Sequence, residues 1–442
     1  MLFRSVYVSP AVYALVVGET VQLTAVATTA QCDIDFCRES EVYASFIWRS
    51  SDSTIVTVAG GLVRAVGRGT ASVTATAGGV TDSAEIRVGS AYVPLARVGP
   101  GGRCALTEAG AAYCWGSLSF NSPDPELTGY TPRLLAGGLT FTAIASGSAV
   151  ACGITADGRG YCWGNGGDAT LITGGLTFLS LSAGRRDAVN TSSEHTCGVA
   201  ADGTAWCWGA DDAGQLGTDS TPRTCYTGDI GHDYPCSDSP VRVGGGALTF
   251  TAISAGGRHT CALAADGTAY CWGDNSWGQL GDSSTVSRAG PMPVRGAPPF
   301  VSLAAGTDHT CGLTSGGTAF CWGRNDAGQL GLGSHDSVPH SAPASVAGDV
   351  TFTSLDAAQR TCALTPAGDA YCWGGSVTVP TVVAGGLTFR SVGVGPGGAP
   401  DFVLFGPTGV ACGVAADARG YCWTASGYPF ELVGPIEPSA RP

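Results

Sequence analysis

The chain opens on short stretches in which apolar and polar residues alternate. VYVSPAVYALVVGETVQLTAVAT, FIWRSSDSTIVTVAGGLVRAVGRGTASVTATAGG and AEIRV are separated or broken by Gly, Ser and Asp. A period of two sends successive side chains to opposite faces, so residues 1–89 read as the strands of a small β-sandwich with Trp48 as its core tryptophan. The first eighteen residues follow the same pattern. Pro10 interrupts them and no small-residue cleavage site follows, so they read as a strand of this domain, any export signal having been removed or omitted.

From residue 90 the strands come in repeats. In one unit FTAIS (250–254), TCALA (260–264), AYCWG (269–273) and PMPVRG (291–296) read as four antiparallel strands. Seven units share a C-x9-C spacing: Cys104 with Cys114, Cys152 with Cys162, Cys197 with Cys207, Cys261 with Cys271, Cys311 with Cys321, Cys362 with Cys372, and Cys412 with Cys422. The second cysteines are 48, 45, 64, 50, 51 and 50 residues apart, and each is followed by Trp. A period near 50 built of short strands means a propeller or solenoid. Seven four-stranded units favour an all-β, seven-bladed β-propeller over residues 90–435, because closing the ring hides edges that an open stack exposes. Residues 436–442 read as a tail.

The spacing itself predicts a hairpin. In CALAADGTAYC a three-residue loop, Ala265, Asp266 and Gly267, sets Cys261 opposite Cys271, with Gly267 in the left-handed conformation that such a loop ends on. Gly recurs there as Gly110, Gly158, Gly203, Gly317 and Gly368; the seventh unit has Ala418 instead. Opposed residues lie within disulfide reach, and Cys32 with Cys37 and Cys225 with Cys236 complete nine local pairs with none left over. The competing use is structural zinc, which needs four ligands, usually at closer spacing, where each pair supplies two. A bond closing so short a loop contributes at most about 2–3 kcal/mol. A chain so stapled belongs in an oxidising compartment, secreted or on a cell surface.

Segments such as ISAGGRHTCALAADGTAYCWGDNSWGQLG (253–281) and LAAGTDHTCGLTSGGTAFCWGRNDAGQLG (303–331) resemble the regulator of chromosome condensation repeat family, which has a seven-bladed propeller fold. The AGQLG-type piece is lost in repeats one, two, six and seven. The resemblance implies a protein-binding role; families with this fold act in nucleotide exchange on a small GTPase, enzyme inhibition and plant light sensing. Exchange rests on nuclear partners that a stapled acidic chain would not meet, and the loops here read GGRHT or GTDHT without the clustered Trp of light sensing. The first 89 residues resemble the bacterial immunoglobulin-like domain of group 2, which implies a spacer or adhesion module.

Composition narrows the function. The net charge is -13 and all 22 basic residues are Arg, so a nucleic-acid partner is not expected and lysine chemistry is absent. No apolar run is long enough for a membrane span. His195, His259 and His309 occupy one repeated HTC position and read as framework; no nucleophile elbow, metalloprotease helix motif, phosphate loop or haem motif occurs. Neither an enzyme nor a cofactor or metal site is expected, and His232 with Asp229, Asp233 and Asp238 matches no ligand spacing.

Loops after the first and third strands of every blade share one face of a propeller, and the three long insertions all fall there: residues 184–194, 218–238 and 396–408. Arg185 and Arg186 in the first could meet an acidic partner. The second is tied by Cys225 and Cys236 and carries Tyr226, His232 and Tyr234, either interface anchors or side chains of a loop stapled for its length. The third carries Phe402, Leu404 and Phe405, either a contact patch or a plug of the central channel. The reading is a non-enzymatic extracellular binding protein that holds a protein or glycan on this face. The alternatives are a structural protein that self-associates into an array or filament, and a polysaccharide-acting enzyme.

Overall fold

A computed structural model describes residues 5–9, 12–32, 37–42, 44–89, 94–115, 133–135, 138–164, 168–184, 194–218, 223–226, 233–246, 248–395, 410–423 and 430–431. These residues are all β apart from one 3-10 turn at Val243–Gly246, and they form two compact units, 5–89 and 94–431.

The first unit holds three small sheets. Val12–Val16, Val80–Gly89, Gly69–Ala77 and Ile47–Ser50 pair in that order, Val12–Val16 running parallel to Val80–Gly89. Ser5–Ser9 pairs antiparallel with Thr24–Cys32, which pairs with Cys37–Val42; Thr20–Gln22, Leu62–Ala65 and Val56–Ala59 make the third sheet. The opening segment is therefore two strands in two sheets rather than the single strand expected. Pro10 lies between them, and a residue without an N–H cannot continue a ladder. The core is aliphatic, centred on Leu15, Leu23, Val56, Val63, Val73 and Ile86. Trp48 packs against this core but is only half-buried, because Ile47–Ser50 is an edge strand with one side open. Cys32 and Cys37 are cross-strand partners by register; their side chains lie outside the described residues.

The second unit is a ring of seven antiparallel sheets, and in all but blade 3 the neighbours follow chain order. Blade 4 consists of Ala252–Ala255, His259–Leu263, Ala269–Gly273 and Arg288–Pro293. Its fourth strand starts and ends three residues earlier than the sequence suggests. The ladder skips a residue between Cys271 and Gly273, and that irregularity lets Gly273 pair back to Arg288. Blade 3 adds a fifth strand, Arg223–Tyr226, on the outer side of Asp233–Arg242.

Within each hairpin the two cysteines are register partners and are bonded to each other. Cys104 is joined to Cys114, Cys152 to Cys162 and Cys197 to Cys207. Cys261 is joined to Cys271, Cys311 to Cys321, Cys362 to Cys372 and Cys412 to Cys422. In all seven the Cα atoms are 4.0–4.1 Å apart. The turn explains this closeness. Ala264 donates to the Thr268 carbonyl, making these two residues a hydrogen-bonded pair; ladder pairs alternate, so Cys261 and Cys271, three steps up, form a non-hydrogen-bonded pair, the closer kind.

The same turn joins the blades. The third turn residue is left-handed in every hairpin, from Gly110 (φ 81°) to Gly368 (φ 88°), and Ala418 adopts the same conformation (φ 64°) despite its Cβ. Its carbonyl then receives the N–H of the residue that opens the next blade. Phe141 donates to Gly110 (2.8 Å), Phe178 to Gly158 (2.7 Å), Phe250 to Gly203 (2.8 Å), Phe300 to Gly267 (2.9 Å), Phe352 to Gly317 (2.8 Å) and Phe389 to Gly368 (2.8 Å). Leu95 donates to Ala418 (2.9 Å), which closes the ring of blade 7 onto blade 1. Each Phe lies against the Trp of its own blade, with ring centroids 5.0–6.3 Å apart. Trp272, Trp322, Trp373 and Trp423 are fully buried.

Because a left-handed alanine carries a penalty of about 1 kcal/mol, Ala418→Gly should raise the unfolding free energy by roughly 0.5–1 kcal/mol, read as a higher denaturant midpoint at unchanged slope. A lower midpoint would show that the ring seam tolerates no extra chain freedom there.

Candidate binding face

The loops after the first and third strands are held by interblade polar contacts. Blades 3, 4 and 5 carry a loop after the third strand whose Gln-Leu-Gly reaches the next blade: Gln215–Leu216–Gly217, Gln279–Leu280–Gly281 and Gln329–Leu330–Gly331. Each Leu is fully buried. The Gln215 carbonyl accepts from Thr260 Oγ1 (2.9 Å) and Trp272 Nε1 (2.9 Å), and the Gln279 carbonyl from Thr310 Oγ1 (2.9 Å) and Trp322 Nε1 (2.9 Å). At the next junction Thr361 Oγ1 reaches the Gln329 carbonyl at 3.3 Å.

The repeated histidines complete these contacts. His195 Nε2 lies 2.8 Å from Thr260 Oγ1, His259 Nε2 2.9 Å from Thr310 Oγ1, and His309 Nε2 2.8 Å from Thr361 Oγ1. Each Thr hydrogen is already given to a carbonyl, so the imidazole is the donor and carries its proton on Nε2. Burial drives His259 down to about 3, with the nearby Asp274 opposing the shift, so it stays neutral at any ordinary pH. The three histidines are buried and tie blade to blade. In blade 6 the same position holds Arg360, 2 % exposed, whose Nη2 donates to the Trp423 carbonyl (2.7 Å); burial lowers it to about 10.

Asp211 breaks the pattern. Asn275 and Asn325 accept the backbone N–H of Leu280 and Leu330 through Oδ1 and donate from Nδ2 to neighbouring acceptors such as the Ser284 and Ser334 carbonyls. Asp211 keeps the first contact, with Leu216 N at 2.9 Å, but a carboxylate has no N–H for the second. Burial pushes its carboxyl up to about 6, helped by the charge of Asp212.

The insertions flank this framework. Cys225 and Cys236 are bonded across the ribbon formed by Arg223–Tyr226 and Asp233–Arg242, with Cα atoms 5.8 Å apart. Tyr234 is register partner to Cys225 and half-buried; Tyr226 pairs with Asp233 by register, and its side chain lies outside the described residues. Arg185, Arg186, His232, Phe402, Leu404 and Phe405 also lie outside them. Of the expected contact residues, the described structure thus includes the side chain of Tyr234 alone, on the stapled ribbon. No group of three or more His, Cys, Asp or Glu residues able to hold a metal occurs among the described residues, and none of their helices is long and apolar enough to cross a membrane.

One concavity on this face was not anticipated from sequence. A groove of about 570 Å³ opens between blades 2 and 3, lined by residues that include Val150, Cys162, Asp168, Glu194, Thr196 and Trp208. Its origin is local. Blade 2 connects its third and fourth strands by residues 165–169 alone, where blade 4 uses residues 274–287, and Val150 stands where blades 3 to 6 have His or Arg. The signal was present in the sequence as the missing AGQLG of the second repeat.

The repeat geometry agrees with a comparison to known families: the regulator of chromosome condensation (RCC1) repeat matches residues 202–263, 266–313 and 316–363, and a second model of the same repeat matches 187–215, 250–279 and 300–329. The chain carries RCC1 repeats. Its first domain matches the bacterial Ig-like domain of group 2 over residues 2–88. A search of curated proteins finds no match. Among solved structures the RCC1-repeat propeller is similar to human WBSCR16 (15% identity over 74% of this chain and 92% of that one, TM-score 0.56). It is also similar to a chain of the complex of Kap60 with yeast RCC1, Prp20 (18% identity, 75% and 80% covered, TM-score 0.54). Prp20p of Saccharomyces cerevisiae, solved in work on its binding to Gsp1p and histones, gives 20% identity, 67% and 79% covered, and a TM-score of 0.53. At these identities the likeness is one of fold.

The raised carboxyl gives a signed prediction. Asp211 binds its proton more tightly folded than unfolded, so stability falls as pH rises from about 4 through 6, by an amount on the order of 2 kcal/mol. Asp211→Asn restores the donor found in blades 4 and 5, and should raise Tm at pH 7–8, leave it nearly unchanged at pH 4, and flatten the slope between. Thermal melts across that range measure this, and equal shifts at both ends would contradict it.

Proposed function

We propose that this protein is a non-enzymatic extracellular binding protein, in which the Ig-like domain spaces or displays an RCC1-repeat propeller whose insertion-bearing face holds a partner. The observation that carries the reading is the division of labour around the ring. The face opposite the insertions repeats one hairpin turn seven times, each turn spent on joining the next blade. The insertion-bearing face is where the blades differ, with a disulfide-tied ribbon in blade 3 and a groove beside it. Variable loops on a rigid scaffold are where recognition concentrates.

Eight bonded cystine pairs among the described residues suggest an oxidising environment. A net charge of -13 without lysine argues against a polyanionic partner and for a protein or a neutral glycan. Prp20p, similar in fold, was studied with the proteins Gsp1p and histones, which supports protein binding as the general mode. Arg185, Arg186, Tyr226, His232, Tyr234, Phe402 and Phe405 are the contact residues we propose on this face.

Capture from native cell envelope and medium under non-reducing conditions tests the proposal. The intact chain should retain a partner that is lost when the three insertions are cut to the length of the other repeats. Equal capture by both would refute the insertion face, and self-capture alone would replace the reading with assembly into an array.

A further inference from the structure

The blade 2–blade 3 groove is an interblade junction from which its filler is missing. At the junction between blades 3 and 4, Thr260 Oγ1 and Trp272 Nε1 both donate to the Gln215 carbonyl. Leu216 is buried with Cys197, Cys207 and Trp272, and Gly217 approaches the Trp272 indole so closely that a Cβ there would lie 2.7 Å from Nε1. One blade back, the equivalent donors are Thr196 and Trp208, the equivalent disulfide is Cys152–Cys162, and residues 165–169 are too few to supply the loop. Thr196 Oγ1 and Trp208 Nε1 have no acceptor among the described residues. Trp208 is half-buried while Trp272 and Trp322 are fully buried, and Cys162 is likewise more open than Cys207.

Another junction without a Gln-Leu-Gly loop before it, blade 6 to blade 7, is closed internally. Arg360 reaches the Trp423 carbonyl and Trp423 Nε1 turns onto Cys372 Sγ at 3.2 Å. Val150, at the position of Arg360, cannot do this, and the space stays open.

The charge at the rim defines the occupant further. Arg258, the residue before His259, pairs with Asp212 at the start of the blade 3 filler (2.7 Å). Glu194, the residue before His195, stands at the corresponding place and reaches over to blade 2, where Oε1 accepts from Ala149 N (2.7 Å), and Asp168 lines the same groove. The charge at this place is reversed relative to Arg258.

We infer that this groove binds a loop of a partner protein that replaces the missing filler: a basic residue followed by a small-Gly-x-Leu-Gly turn. The Leu enters against the Cys152–Cys162 disulfide and Trp208, the carbonyl before it accepts from Thr196 Oγ1 and Trp208 Nε1, and the basic side chain meets Glu194 and Asp168. A second copy of this chain cannot be the donor, since its Leu216, Leu280 and Leu330 are fully buried in its own junctions. The inference rests on the binding-face reading above and names its site and partner chemistry.

The probe is the capped peptide RAGQLG, labelled and followed by fluorescence anisotropy with the full chain. A hexapeptide making these contacts should bind with Kd on the order of 100 µM. DAGQLG should bind about 5-fold more weakly and RAGQAG about 10-fold more weakly. The double variant Thr196→Val with Trp208→Phe should lose about 10-fold. Because that variant could unfold, a second chain has residues 165–168 replaced by RAGQLG. It should melt at a higher temperature than the parent and bind no peptide. Binding indifferent to peptide charge or Leu, or retained by the graft, overturns the site, as does no binding at millimolar peptide or binding of oligosaccharide alone. The partner-capture experiment separates the two proposals. Capture kept by the groove variants but lost on shortening the insertions retains the face and rejects the groove; capture unaffected by either rejects both.

Discussion

The ring depends on one backbone hydrogen bond made seven times, from the N–H that opens a blade to the carbonyl of the left-handed residue in the preceding hairpin turn. A tight turn normally spends its polar groups on water. Here the left-handed residue aims its carbonyl sideways, and the neighbouring blade supplies the donor. The bond fixes where the next Phe starts, the Phe fixes the Trp it lies against, and the Trp follows directly on the disulfide that locks the hairpin, as Trp322 follows Cys321. Turn, interblade contact, aromatic core and cross-link are therefore one unit. A blade cannot shift its register without losing all four.

The opposite face is held differently, by side chains. Thr, His and the Gln-Leu-Gly loops form an interblade relay in blades 3 to 5, each hydroxyl accepting from an imidazole and donating to a carbonyl. Such a relay can be interrupted one junction at a time, because each set of partners is complete in itself. Blade 6 substitutes an arginine, blade 3 a carboxyl that keeps its proton until about pH 6, and blade 2 leaves the junction open. Backbone contacts preserve the ring on one face while side-chain contacts vary on the other, the condition a binding scaffold needs.

The candidate site was only partly legible in the sequence. The stapled insertion around Cys225 and Cys236 was, because a cysteine pair and a long gap between strands are visible in one dimension. The groove was not, although its cause, the loss of AGQLG from the second repeat, could be read directly. A missing loop becomes a cavity only when the next blade stands against it, and its donors, Thr196 and Trp208, are drawn from a different repeat. Trp208 looks like every other Trp that follows a cysteine. Yet it is half-buried on the groove where Trp272 and Trp322 are fully buried, since burial depends on the neighbour's loop and not on its own strand.

The sequence by itself determined the all-β class, the repeat, the seven hairpins and their cysteine pairing, from Cys104 with Cys114 to Cys412 with Cys422, and the left-handed glycine at six of the seven turns. These are local: the two cysteines, the turn between them and the Trp beside them lie within about a dozen residues, so spacing and backbone preference decide them. Only the tertiary structure decided that Ala418 takes a glycine's conformation, that the opening segment splits at Pro10 between two sheets, that Trp48 sits at an edge, and that blade 2 leaves a groove. Each of those turns on contacts between residues far apart in the chain. A neighbouring strand or blade supplies or withholds the partner there, and no pattern within one segment carries that information.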